Sequence, residues 1–239
     1  MRRRAGAAGA WAVLATALAL AAPAAAPAAE VAYELGFASA YVWRGIALTD
    51  GPVFQPAVRI AHGSGVALVL WGNVDLDDDN DLAGEIGEMR ITLDYGRRFG
   101  AFELGGGLTE YLFPNTPYPG TREVYFRGAF HAVVTPKLEL FYDFDEIEGL
   151  YARLSFAWER PLGAHWRSTL EASAAYAESG FSVSGEGGPH DAGLELRLER
   201  TFRKLDLRLT GAWTDSLDQN VLPEQPVGFW AGAAIALRL

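Results

Sequence analysis

Phe229-Trp230-Ala231-Gly232-Ala233-Ala234-Ile235-Ala236-Leu237-Arg238-Leu239 is the stretch whose reading decides the fold. A strand sends successive side chains to opposite faces, so Phe229, Ala231, Ala233, Ile235, Leu237 and Leu239 form one wholly apolar face. The opposite face carries Trp230, Gly232, Ala234, Ala236 and Arg238. An apolar face of that length needs a core or a lipid to meet it.

The same grammar runs back through the chain. Val31–Gly45 sets Tyr33, Leu35, Phe37, Tyr41 and Trp43 against Glu34, Gly36, Ala38, Ala40 and Arg44. Residues 53–62 set Val58 and Ile60 against Gln55 and Arg59, and residues 66–74 carry Val66, Leu68, Leu70 and Val74 on one parity. Residues 86–96 alternate most cleanly, with Met89, Ile91, Leu93 and Tyr95 against Glu88, Arg90, Thr92 and Asp94. Further alternating runs occupy 101–112, 122–131, 138–145, 150–159, 166–177, 191–199 and 204–213. With the final stretch this makes 12 strands, and an even number suits a closed antiparallel barrel.

Connections alternate in length. Short turns fall at His62–Gly65, Arg97–Gly100, Val134–Lys137, Arg160–His165 and Arg200–Arg203. The longer loops lie at Ile46–Pro52, Asp75–Gly84, Phe113–Thr121, Ser179–His190 and Thr214–Val227, with a shorter one at Glu146–Gly149. Short turns at one end and longer loops at the other are what bacterial membrane barrels show. Outward aromatics form two bands: Tyr33, Phe102, Phe130, Trp158 and Trp166 near the turns, and Trp43, Phe54, Phe144, Tyr176, Trp213 and Phe229 near the loops. Amphipathic rings collect at such interfaces.

A soluble β-sandwich or barrel also alternates. Here, however, the non-apolar parity carries acids and bases in quantity, which suits a wet lumen better than an outer surface. The expectation is an all-β, transmembrane, antiparallel barrel over 29–239, in the bacterial outer membrane and in contact with its lipid. Residues 1–28 read as a cleaved secretory signal: Arg2, Arg3 and Arg4, an apolar run from Trp11 to Ala22, then Ala26-Pro27-Ala28. The C-terminal strand is the part that barrel-assembly machinery is expected to read.

Without the three leading arginines the chain has 17 basic against 30 acidic residues, a net charge of −13. Phosphate binding needs a basic surface, so nucleic acid is not an expected partner. Cysteine is absent, which excludes disulfides and thiol chemistry. No cofactor is expected.

Several stretches resemble a known family. Ser39-Ala40-Tyr41-Val42-Trp43-Arg44-Gly45-Ile46, then Thr49-Asp50-Gly51 and Gln55-Pro56, carry the likeness, with Trp71-Gly72-Asn73-Val74-Asp75, Tyr111–Pro114 and Glu123-Val124-Tyr125. The chain resembles the TorF-type porin family, Gram-negative outer-membrane β-barrel proteins of unknown function. The resemblance implies a barrel that acts as a channel, with no established substrate and no catalytic residues to carry over.

The pore-lining candidates are the charged residues of the inward parity. They are Arg44, Arg59, Glu88, Arg90, Asp94, Glu103, Glu123, Arg127, Asp143, Arg153, Glu171, Glu195, Arg197, Asp206 and Arg208. Fixed charges along a narrow aqueous path sort ions and small solutes. The same charges, if tightly paired, would instead staple the barrel shut and leave a structural or surface-interaction module. Arg44, near the loop mouth, either forms a constriction or binds an anionic group there, or else pins the first loop to a neighbouring carboxylate.

Acidic loops crowd the mouth: Asp75, Asp77, Asp78, Asp79 and Asp81, and Asp145, Glu146 and Glu148. Asp77, Asp79, Asp81 and Glu88 have EF-hand-like spacing, but the glycine of the sixth position is missing, so a solvated loop and no metal site is expected. The acids predict a cation-preferring entrance. The enzymatic alternative, an outer-membrane hydrolase, would rest on His190 beside Asp191, near Ser182 and Ser184 at the rim. One rim histidine is a weak basis, and no catalytic residue is assigned.

Overall fold

The computed structural model describes residues 29–77 and 82–239. The expected signal segment and Asp78, Asp79 and Asp81 of the acidic loop lie outside the described residues. The described chain contains strands β1 (Glu30–Ala38), β2 (Tyr41–Trp43), β3 (Ile46–Thr49), β4 (Val53–Ala61), β5 (Val66–Asp75), β6 (Ile86–Phe99) and β7 (Phe102–Leu112). It continues with β8 (Thr121–Phe130), β9 (Thr135–Asp143), β10 (Gly149–Leu162), β11 (Trp166–Ala177), β12 (Gly188–Phe202), β13 (Leu205–Ser216) and β14 (Phe229–Arg238).

Twelve of these strands, β1 and β4 to β14, close into one antiparallel barrel, each bonded to its neighbours in chain order. Closure is made by β1 against β14, with Leu35 opposite Ile235 and Tyr33 opposite Leu237. The backbone groups of the two terminal strands are thereby paired, which removes the free edges that an open sheet would present.

Hydrophobicity is inverted relative to a soluble domain. Leu35, Phe126, Phe156, Leu196 and Ile235 point outward and are 46–54% exposed, while Glu88, Asp94 and Glu123 are buried. Exposed apolar side chains around a whole barrel are stable only against lipid. At the short-turn end Phe102 meets Phe130 with ring centroids 5.0 Å apart, and near the other rim Phe37 meets Phe54 at 4.9 Å. The connections between neighbouring barrel strands are two to four residues at one end and five to fourteen at the other.

A lipid-facing surface makes a direct prediction. Leu196 sits mid-strand in β12 between Leu170 and Gly211. Leu196→Arg is expected to destabilise the vesicle-folded barrel by about 2–4 kcal/mol in urea titration, the cost of a cation near the bilayer midplane. A change under about 0.5 kcal/mol would mean this face does not meet lipid.

One expected strand is interrupted. The alternation of Val31–Gly45 reads as a single strand, yet β1 stops at Ala38, and Tyr41–Trp43 pairs only with Ile46–Thr49 in a separate two-stranded sheet. This hairpin folds into the barrel. Tyr41 and Trp43, expected on the lipid face, therefore lie in the lumen; Tyr41 is buried and its ring is 5.6 Å from that of Trp71. The turn of the hairpin is Arg44-Gly45, with φ of 51° and 79°. Two successive left-handed residues make the tight turn that matches strand twist. A Cβ on Gly45 would stand 2.6 Å from that of Asp191, so the tip also seats against the far wall.

Candidate functional site: the hairpin and the charged lumen

The hairpin tip carries Arg44 into a cage. Its guanidinium donates to both Glu123 oxygens, at 2.6 and 2.8 Å, and its side chain is 10% exposed. The guanidinium carbon lies 4.0 Å from the Phe141 ring centroid, 4.6 Å from Trp43, 5.1 Å from Tyr151 and 5.4 Å from Phe181. Tyr111 also donates to Glu123, at 3.2 Å. Burial works against the Arg44 charge, and the two hydrogen bonds to Glu123 act in the opposite sense. Of the two roles expected for Arg44, pinning to a carboxylate is observed.

Beside it, Glu88 accepts from Arg90 at 2.5 Å and from the Tyr41 hydroxyl at 3.1 Å, and Arg90 also contacts Tyr41. Burial pushes the Tyr41 phenol well above its ordinary pKa. The Arg90 guanidinium lies 4.6 Å from the Trp71 ring, so two arginines and their carboxylates fill this level of the barrel.

Toward the short-turn end, Asp94 gathers a second cluster. It accepts from Tyr125 at 2.5 Å and from Arg127 at 2.6 and 3.1 Å, with Arg59 at 3.5 Å. Asp94 is on β6 and Arg127 on β8, with β7 between them. The reach is possible because β7 presents Gly105 and Gly107 at the crossing. A Cβ on Gly107 would lie 2.7 Å from the Tyr125 hydroxyl, and one on Gly105 2.8 Å from Arg127 Nε. Absent side chains let Tyr125 and Arg127 lie flat across the intervening strand.

The remaining lumen candidates also meet partners. Arg153 donates to Glu171 at 3.1 Å, Arg197 pairs with Glu195, and Arg208 pairs with Glu34. Asp206 accepts from Arg238 at 2.8 Å, and Glu103 stands 2.9 Å from His131 at the turn end. Asp143 borders the loop-side cavity and braces the loop. It accepts from the Thr121 hydroxyl at 2.7 and 2.8 Å and from the backbone N–H of Asp145 and Ile147 at 3.0 and 3.2 Å. Of the mouth acids, Asp75 is buried and accepts from Asn73 at 2.7 Å, Asp145 accepts from Arg122 at 3.3 Å, and Glu146 and Glu148 are exposed.

His190 does not face the rim. Between Ala174 and Tyr176 the β11–β12 register shifts, so that His190 and Asp191 together oppose one residue. Such a bulge turns two successive side chains to the interior. His190 is fully buried against the Tyr151 and Phe181 rings, at 5.7 and 5.9 Å, with neither ring nitrogen hydrogen-bonded. Ser182 donates to the Val221 carbonyl instead. The rim hydrolase arrangement is corrected accordingly: serine and histidine are not brought together.

Cavities adjoin one another along the lumen. A cavity of about 480 Å³ lies beneath the hairpin tip and meets a smaller one of about 210 Å³ at Glu195 and Trp230. The smaller cavity adjoins a third, of about 870 Å³, at Glu34 and Arg208, and this one reaches the turn residues 163–165. Gly232 and Ala234, the small inward residues of β14, line the middle of the route. On the loop side, a cavity of about 380 Å³ borders Trp43, Tyr111 and Glu123, which also line the cavity beneath. The Arg44 cage therefore stands between the loop mouth and the rest of the path.

Comparison with known proteins agrees with this architecture. A family model described as a bacterial protein of unknown function (Gcw_chp) matches residues 21–144. No curated protein sequence matches the chain. Among solved structures, the KdgM porin aligns with a TM-score of 0.56 at 8% identity, over 87% of this chain and 98% of that one. The NanC porin aligns with 0.56 at 6% identity, over 87% and 100%. An outer membrane channel from Pseudomonas putida F1 aligns with 0.52 at 11% identity, over 92% and 97%. These identities are low, and what the likeness carries is the fold.

Proposed function

The chain belongs to the Gcw_chp family of bacterial proteins of unknown function, and from that premise and the lumen geometry we propose a porin-like channel of the bacterial outer membrane, passing small hydrophilic solutes. The observation that carries this reading is the succession of adjoining cavities, joined at Glu195 and Trp230 and then at Glu34 and Arg208, from beneath the hairpin tip to the turn residues 163–165. A barrel serving only as a scaffold has no need of a wet interior with glycine and alanine along one side. The resemblance to TorF-type porins supports the same reading, as does the fold shared with porins. The short turns then face the periplasm, and the longer loops face outward.

Selectivity follows from which charges are spent. Each of Arg44, Arg59, Arg90, Arg127, Arg153, Arg197, Arg208 and Arg238 is within ion-pair distance of an acid. Exposed Glu146 and Glu148 at the loop end remain to set the potential of the mouth, within a chain of strong negative charge. The entrance is therefore cation-preferring. One KdgM structure is described as a complex with oligogalacturonate, a polyanion; the acidic mouth here argues for solutes of the other sign.

The paired charges and the inserted hairpin favour a second reading, a barrel closed at rest. Single-channel recording of the refolded mature protein under a salt gradient separates the two. The expected result is discrete steps with a cation-selective reversal potential. Anion-selective steps would keep the channel and remove the argument from the mouth. Silence from a barrel with heat-modifiable gel mobility would leave the closed reading.

A further inference from the structure

We infer that the barrel wall around Glu123 is a binding site for small solutes bearing a guanidinium group, and that Arg44 occupies it here as a tethered competitor. The inference deepens the channel reading, and its physiological meaning rests on that reading. The wall components do not come from the hairpin. Glu123 stands on β8, Phe141 on β9, Tyr151 on β10, and Phe181 in the β11–β12 connection. Together they offer a carboxylate fork and three ring faces. A planar, delocalised cation fits both at once; a compact ammonium satisfies the charge but neither the fork nor the stacking.

The present occupant is carried on a hairpin that is not part of the barrel sheet. The hairpin shares no strand pairing with the wall; its ties run through side chains, Arg44 to Glu123, Tyr41 to Glu88, and the Ala47 N–H to Gln225 at 2.9 Å. Arg44 adopts a left-handed φ of 51°, a conformation disfavoured for any residue that carries a Cβ. Glu123 borders a cavity on each side of the cage, so a solute arriving from the mouth reaches the carboxylate that Arg44 holds. A purely structural pin would show the same contacts around Arg44 itself. The two differ in what the wall does once Arg44 is gone.

Calorimetry on the folded barrel in detergent tests this, with methylguanidinium as probe and methylammonium as control. Arg44→Ala is expected to bind methylguanidinium saturably at one site, about tenfold tighter than methylammonium, as fork and stacking require. Arg44→Ala with Glu123→Gln is expected to lose that binding. The wild-type barrel is expected to bind about tenfold or more weakly than Arg44→Ala, because a tethered arginine competes at high effective concentration. No saturable binding by a folded Arg44→Ala barrel overturns the site, and equal affinity for the two probes overturns its assignment to guanidinium. Equal affinity of wild type and variant overturns the competitor. Should Arg44→Ala not fold, Arg44→Gln keeps more of the buried stem and takes its place. Calorimetry reads the wall whether or not the barrel conducts. A silent bilayer thus removes the channel alone, and a conducting barrel without binding removes this inference alone.

Discussion

Replacing residues 39–52 by a turn of about two residues is expected to raise single-channel conductance several-fold, because the hairpin is what narrows the loop half of the lumen. The replacement is geometrically simple. Ala38 at the end of β1 lies directly opposite Val53 at the start of β4, so a short reverse turn closes the pair without moving either strand. The β1–β14 register and the whole short-turn half are untouched. What is removed is Trp43 and Arg44 from between the mouth cavity and the cavity beneath it. Glu123 then keeps Tyr111 as a donor and gains lumen water in place of Arg44. The cost to stability is about 1–3 kcal/mol, the range for a polar group that loses its partner. Planar-bilayer recording of intact and shortened barrels under one salt condition reads the effect. Unchanged step size from a folded, shortened barrel would place the constriction elsewhere and end the account of the hairpin as a plug.

Barrel architecture is legible in this sequence because period two is a local signal. Met89, Ile91, Leu93 and Tyr95 alternate with Glu88, Arg90, Thr92 and Asp94, and no tertiary information is needed to read two faces. Same-face neighbours two apart are equally plain: Glu88 with Arg90 and Glu195 with Arg197 are pairs that spacing alone suggests. The inserted hairpin is concealed by that same periodicity. Tyr41-Val42-Trp43 continues the parity of Tyr33, Leu35 and Phe37, so a strand that turns inward reads like one that continues. The signal that marks it is Arg44-Gly45 between two apolar runs, a dipeptide suited to a two-residue hairpin turn.

Pairings across strands are hidden for a different reason. Arg44 and Glu123 are 79 positions apart, and Arg127 and Asp94 are 33 apart. Which carboxylate an arginine meets depends on register and on how far a side chain travels across its neighbour. Gly105-Gly106-Gly107 carries the clue that long side chains cross β7 at this level, though it does not name them. A bulge turns His190 inward, and a one-residue register shift leaves no trace in alternation that is already broken by Gly187, Gly188 and Pro189.

Asp94→Asn is expected to weaken the folded barrel by about 3 kcal/mol and to move the reversal potential toward anions. One carboxylate here answers two guanidinium groups and a phenol. Neutralising it leaves two like charges facing each other across a narrow lumen. The two arginines do not suffer equally. The Arg59 side chain is 48% exposed and remains hydrated, whereas that of Arg127 is 27% exposed and lies over β7. Most of the loss therefore falls on Arg127, which keeps the figure at the lower end of what breaking a buried pair costs. Adding Arg127→Met should restore much of the stability, since thioether and stem refill the space over Gly105 without an unpaired charge. The same double variant should return the reversal potential toward its original value, because the extra positive charge is gone. Urea titration in vesicles and bilayer recording read the two effects separately. If Asp94→Asn costs less than about 1 kcal/mol, lumen water already carries these charges, and the cluster shapes the ion path without holding the wall together.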